Sequence, residues 1–131
     1  MEVLKLRAWL TEDKVMLPVE SVSFRWGHMN IVMPPDKRVT KANQDANVMV
    51  WTGLKDKHGE DIYESDIVKF HDEDGQVYVV PVVWYNDCAC FGVQFGDGNI
   101  PTEFSYLEEW YCDLNELEVV GNIYDGVNYG R

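Results

Sequence analysis

Apolar and polar residues alternate with a period of two through much of this chain. Leu4, Leu6 and Ala8 are separated by Lys5 and Arg7, as in a strand with one buried face. The polar run Thr11 to Lys14 predicts a turn, and Val15 to Glu20 a returning strand. Val22, Phe24 and Trp26 alternate with Ser21, Ser23 and Arg25, which predicts a third strand. The short run Ile31 to Met33 ends at Pro34-Pro35, where regular pairing must stop. Asp36 to Asn47 is polar and aperiodic, and reads as a linker or mobile loop.

Strand-like patterning resumes at Val48-Met49-Val50-Trp51. Ile67, Phe70 and the run Val77 to Trp84 follow, interrupted by His71-Asp72-Glu73-Asp74-Gly75. Asp-Gly between two β-rich runs is a hairpin signal. Pro81 inside Val79-Val80-Pro81-Val82-Val83 removes a ladder donor, so it predicts an edge, a bulge or a corner. Cys88 to Phe95 reads as a further strand, closed by the turn Gly96-Asp97-Gly98-Asn99, and Leu117 to Tyr124 as the last. One segment has helical spacing, with Phe104, Leu107, Trp110 and Leu114 following Pro101-Thr102 and acids placed in its first turns. Its aromatic density leaves a strand as the alternative. The predicted fold class is mainly β: short strands joined by Gly- and Asp-rich turns form a small barrel or roll, with at most one short helix. The pattern alone does not separate a barrel from a sandwich.

The block Trp51 to Val68 (WTGLKDKHGEDIYESDIV) reads as a strand end, a charged turn closed by Gly59, a short Ile-Tyr segment, a second turn and another strand. It resembles the YopX family of phage and prophage proteins, which carry a run of the form TGLKDKNGKEIYEGDIV. Leu4-Lys5-Leu6-Arg7-Ala8-Trp9 with Asp13-Lys14-Val15-Met16 is similar to the family's opening. Glu118-Val119-Val120-Gly121-Asn122-Ile123-Tyr124-Asp125 is similar to its closing EVIGNIYE. These segments bracket almost the whole chain, while residues 17–47 and 70–117 match only in general character. The resemblance implies an SH3-like barrel in the C-terminal part, giving an N-terminal β segment with a terminal polar linker over residues 1–47 and the barrel domain over 48–131. One departure is Ser65, where the family usually has Gly. Glycine there signals a backbone angle forbidden to other residues or a close approach, so Ser65 implies an ordinary turn or mild strain.

At 131 residues, 46% hydrophobic and 13% aromatic, the chain can bury a core in one domain or two small subdomains. No apolar run is long enough for a membrane helix, and no signal-peptide pattern opens the chain. An odd count of three cysteines (Cys88, Cys90, Cys112) fits a reducing cytoplasm. The net charge of −12 is unevenly placed, because residues 70–130 hold no Lys or Arg while the first 69 residues are nearly balanced. Such a field repels phosphates and favours basic partners or cations. Solubility alone is the blander account of the charge.

Candidate chemistry is sparse. Cys88-x-Cys90 places two thiols on one strand face, with His58, His71 and Cys112 as further candidate ligands. Structural zinc needs paired Cys/His knuckles, and the sequence offers half of one. No cationic context marks a reactive thiolate. Asp72-Glu73-Asp74-Gly75 lacks the ligand spacing of a calcium loop and reads as a solvated hairpin tip. Lys55, Asp56, His58, Asp61, Tyr63, Glu64 and Asp66 crowd into the signature block. They read as turn determinants, with Asp66 capping its turn, rather than as an acid–base site. Phosphate loops, nucleophile elbows and dinucleotide fingerprints do not occur.

The basic cluster Lys37-Arg38-x-x-Lys41 could graze a nucleic-acid backbone, but −12 overall disfavours it. Trp51, Trp84, Tyr85 and Trp110 could stack on bases, and core packing accounts for them at least as well. The expectation is therefore a non-enzymatic, cytoplasmic phage- or prophage-type interaction module, with no catalytic, cofactor-binding or metal residue assigned and no cofactor. Self-association is the expected partner mode. The alternative is an acidic decoy binding a basic host or phage protein surface, such as a nucleic-acid-binding site. Nucleic acid and membrane are not expected as partners.

Overall fold

In the computed structural model, residues 4–25, 28–33, 37–40, 46–96 and 100–126 are described. The chain divides into two units, Met1–Trp51 and Thr52–Arg131.

In the first unit, β1 (Leu6–Leu10) lies between β2 (Val15–Pro18) and the start of β6 (Ala46–Lys55), antiparallel to both. The predicted alternation is realised: Ala8 and Leu10 are buried and pack with Ala46, while Leu17, Val19 and Val48 cover them. A separate meander joins β3 (Ser21–Arg25), β4 (His28–Met33) and β5 (Lys37–Thr40), with Ile31 paired to both Val22 and Val39. The stretch read as a linker therefore contains a strand. β5 is defined by its backbone pairing with β4, which a polar run can make without an apolar alternation to announce it. Pro34 and Pro35, and Lys41, lie outside the described residues.

In the second unit, the end of β6 leads into its hydrogen-bonded neighbour β7 (Asp61–Tyr63). A five-stranded sheet has the order β11-β10-β9-β8-β12, built from β8 (Asp66–His71), β9 (Val77–Tyr85), β10 (Cys90–Val93), β11 (Thr102–Glu103) and β12 (Glu118–Asn122). The signature block thus has the strand–turn–strand–turn–strand order expected of it.

Pro81 explains how this sheet bends. Residues Val77 to Pro81 pair with β8, whereas Val82 to Tyr85 pair with β10. One strand hands over from one partner to the next at the residue that has no N–H to donate. The Pro81 carbonyl still accepts from Gln94 N at 3.0 Å. Such stagger curls the sheet into a half-barrel, so Pro81 is a corner. The mainly β barrel-or-roll expectation holds.

Inside the curl lie Ile62, Val68, Phe70, Val80, Val82 and Val93. Val68 and Phe70 face in while Lys69 and His71 face out. Rings of Phe70, Tyr78, Phe95 and Tyr111 interlock, with Phe70 stacked on Tyr78 at 5.2 Å and Phe95 on Tyr111 at 5.3 Å. These offset and edge contacts add to the apolar burial.

One α-helix occurs among the described residues, α1 (Phe104–Trp110). It starts later than Pro101-Thr102 suggested, because Thr102 and Glu103 pair with β10 as β11. It also has no acid in its first turn. Phe104 and Leu107 are buried, Tyr111 packs beside them and Trp110 is 64% exposed. The inward stripe is therefore 104–107–111 rather than 104–107–110, both being helical spacings. Leu114 belongs to a following 3-10 turn, Leu114–Glu116, capped by the Asp113 carboxylate.

Candidate functional site

The charged turn of the signature is built around Asp56, 6% exposed. Its Oδ1 accepts the N–H groups of His58 (2.8 Å) and Glu60 (2.9 Å), and its Oδ2 accepts that of Val119 (2.9 Å). Burial pushes the Asp56 carboxyl up, but those three donors and the neighbouring His58 outweigh it, and the net shift is downward. Asp66, 1% exposed, accepts the Tyr63 N–H at 2.8 Å and caps the next turn. His58 lies 3.4 Å from Glu118, and Lys55 pairs with Asp61 at 2.9 Å. The Asp56 carboxylate thus holds the His58 backbone, the His58 ring lies against Glu118, and Asp66 caps the separate turn at Tyr63.

The same turn recurs one hairpin later. Asp72 Oδ1 accepts from Asp74 N and Gln76 N, both at 2.9 Å, repeating the i+2 and i+4 donors of Asp56. Asp56 N donates to Glu60 O and Asp72 N to Gln76 O, and both turns close on a glycine at φ 83, Gly59 and Gly75. The free oxygens differ: Oδ2 of Asp72 takes the Tyr78 hydroxyl at 3.0 Å. Burial raises the Asp72 carboxyl, but the hydrogen bonds from Gln76, Tyr78 and Asp74 outweigh it, so the net shift is again downward. Asp72-Glu73-Asp74-Gly75 is thus a hairpin tip whose first carboxylate is held by the tip's own backbone and by the Tyr78 hydroxyl.

Beside this hairpin the second unit carries a groove of about 310 Å³. Six acidic residues line it, Asp72, Glu73, Glu108, Glu109, Asp113 and Glu116, together with His71, Trp110, Tyr111 and Cys112. Among the described residues no Lys or Arg lines it, and residues 70–130 contain neither. The sequence supplied the charge; the convergence of the 72–73, 108–113 and 116 segments was not legible in it. Trp110 stands on the outer helix face with Tyr106, 50% exposed, ring centroids 6.1 Å apart. Trp84 is 43% exposed against Phe91, and Trp51 lies under Lys5 Nζ at 4.4 Å. Core packing therefore fails to account for Trp84 and Trp110.

The cysteines are placed differently from a flat strand face. Cys88 lies in the turn Asn86–Ala89, with Ala89 at φ 52, and only Cys90 is in β10. That turn, together with β11, brings Cys88, Cys90 and Glu103 together, with Sγ and carboxylate oxygen atoms all within 4.8 Å of one another. Glu103 was missed because its partnership with Cys90 is set by sheet register, not by spacing. Burial raises the Cys90 thiol, and the charges of Cys88 and Glu103 add to it. Burial also raises the Cys112 thiol, to about 11.

A curled, mainly β unit with an acidic, aromatic-edged groove defines the class of this protein structurally. The chain belongs to the YopX protein family, whose model matches residues 5–128. It is similar in structure to protein EF1440 from Enterococcus faecalis, with TM-score 0.62 and 24% identity over 95% of this chain and 96% of that one. It is likewise similar to protein yopX from Bacillus subtilis, with TM-score 0.60 and 21% identity over 93% and 94% of the two chains. At such identities the likeness speaks to the fold. No curated protein matches this chain. No helix among the described residues is long and apolar enough to cross a membrane.

Proposed function

We propose that this chain is a non-enzymatic interaction module of phage or prophage origin whose second unit grips a cationic surface of a partner protein. The observation that carries this reading is the groove beside Trp110, where six carboxylates meet an exposed indole. Carboxylates attract Lys and Arg at long range, and an indole face holds a guanidinium by cation–π contact once it is desolvated. A decoy that covers a basic nucleic-acid-binding surface is the narrower form of the same reading. The SH3-like description of the curled sheet rests on the family resemblance, and the cytoplasmic setting on the free cysteines.

Calorimetric titration with an arginine-rich peptide tests it. Binding should weaken steadily with added salt, fall further in Glu109→Lys, and be absent for a neutral peptide of equal length. Equal binding by Glu109→Lys and the parent protein overturns the reading.

Self-association is a second reading, favoured by the exposed Tyr106–Trp110 pair on the outer face of α1. Light scattering should then show a dimer that Trp110→Ala dissociates. A clean monomer at high concentration removes this mode.

A further inference from the structure

We propose that Cys88, Cys90 and Glu103 form a binding site for a thiophilic divalent cation, with zinc as the fitting ion. The register explains the convergence. Gly92 of β10 pairs with Glu103 of β11, so Cys90, two residues before Gly92, is the diagonal neighbour of Glu103 on the same face. The Glu103 carboxylate accordingly comes within 3.7 Å of Cys90 Sγ. Gly92 makes the approach close: a Cβ there would stand 2.7 Å from Thr102 C and 2.8 Å from Glu103 Cα. Cys88 is brought to the pair by the turn before β10, whose Ala89 has φ 52.

The dimensions suit the ion. Zinc–sulfur bonds of about 2.3 Å at tetrahedral angles place two sulfurs about 3.8 Å apart, and a sulfur and a carboxylate oxygen about 3.5 Å apart. Ligand atoms within 4.8 Å of one another reach that arrangement by side-chain rotation. Two thiolates and a carboxylate would carry three negative charges, which a divalent cation offsets in part, and residues 70–130 contain no Lys or Arg. Three protein ligands leave a fourth position, and exposed Cys88 opens it to water or to a partner's side chain.

Cobalt(II) titration of the reduced full chain tests the site. A thiolate-to-cobalt absorption band should grow to one equivalent and vanish when one equivalent of zinc is added. Cys88→Ser and Cys90→Ser should each lose the band, Glu103→Gln should weaken cobalt binding, and Cys112→Ser should leave it unchanged. Cys88 is exposed, so Cys88→Ser leaves the fold intact, checked by circular dichroism. Absence of the band in the parent protein, or its survival in Cys88→Ser, overturns the proposal.

Discussion

Oδ2 of Asp56 accepts the backbone N–H of Val119 at 2.9 Å, across 63 residues of sequence. The signature turn and the closing strand β12 are thereby tied through one carboxylate. Lys57 N, donating to Leu117 O at 2.9 Å, ties them again. Asp56→Ala leaves three donors without their acceptor, one of them in a part-buried strand. The expected loss is about 2–4 kcal/mol, read as a drop in the urea midpoint. Asp72→Ala removes the twin carboxylate, whose two backbone donors are exposed and can turn to water, and should lower the midpoint by less.

Acid should expose the same dependence. The Asp56 carboxyl titrates below its ordinary value of 3.8 in the folded chain, so the folded state binds its proton less readily than the unfolded state. Its contribution is complete above the unfolded value and is lost as pH falls through the lower folded value. Urea midpoints should therefore be flat in this respect from pH 7 to about 5 and decline below about 4. Asp56→Asn, lacking the titration, should show a shallower acid decline than the parent protein. Parallel curves for the two would remove Asp56 from the acid limb.

Legibility in the sequence follows how local each cause is. Gly59, Gly75 and the Asp residues that open their turns announce turns by their own conformational preferences, so both tips were readable. Pro81 was readable as an interruption because a missing N–H is a property of that residue alone. Val119 as the partner of Asp56, and Glu103 as the partner of Cys90, depend on strand register between distant segments, which periodicity does not encode. The helical stripe departs from its expected course after Leu107, because 110 and 111 both fit a helical period and Leu114 falls in the 3-10 turn beyond the helix. Only the packed surface decides that Tyr111 joins the ring cluster and Trp110 does not. β5 escaped notice because Lys37-Arg38-Val39-Thr40 pairs through its backbone without an apolar alternation to mark it.

The two faces of α1 should separate cleanly by mutation. Leu107 is fully buried between helix and sheet, so Leu107→Ala should cost about 3 kcal/mol through lost burial and a residual cavity. Trp110→Ala, at a side chain 64% exposed, should stay within about 0.5 kcal/mol. Denaturant melts of both variants check the assignment; a large loss in Trp110→Ala would place that indole in the core.

Gly92 should tolerate no side chain. The atoms nearest to a Cβ there are backbone atoms of Thr102 and Glu103, which cannot swing aside as a side chain can. Gly92→Ala must push β11 away from β10, at about 2–3 kcal/mol of overpacking. The thermal midpoint should fall accordingly. An unchanged midpoint would show that the short β10–β11 ladder contributes little to the fold.

Ser65 offers the opposite case, a substitution expected to stabilise. Its φ is 75, in the left-handed region, which costs a non-glycine residue about 1–2 kcal/mol. The turn is held there from both sides: Ser65 N donates to Val82 O at 2.8 Å, and Ser65 O accepts from Ile123 N at 3.0 Å. The strain at this departure from the family's usual glycine is thus real and is borne by the β9 and post-β12 contacts. Ser65→Gly relieves it but gains chain entropy in the unfolded state, of about 0.5–1 kcal/mol. The net expectation is a gain of about 0.5–1 kcal/mol, or roughly 2–4 °C in Tm. Gly59→Ser, at φ 83 with open space around it, imposes the same strain in reverse and should lower Tm by a similar amount. Scanning calorimetry of the pair checks both signs, and a Ser65→Gly protein that melts below the parent would mean the serine hydroxyl contributes more than the backbone strain removes.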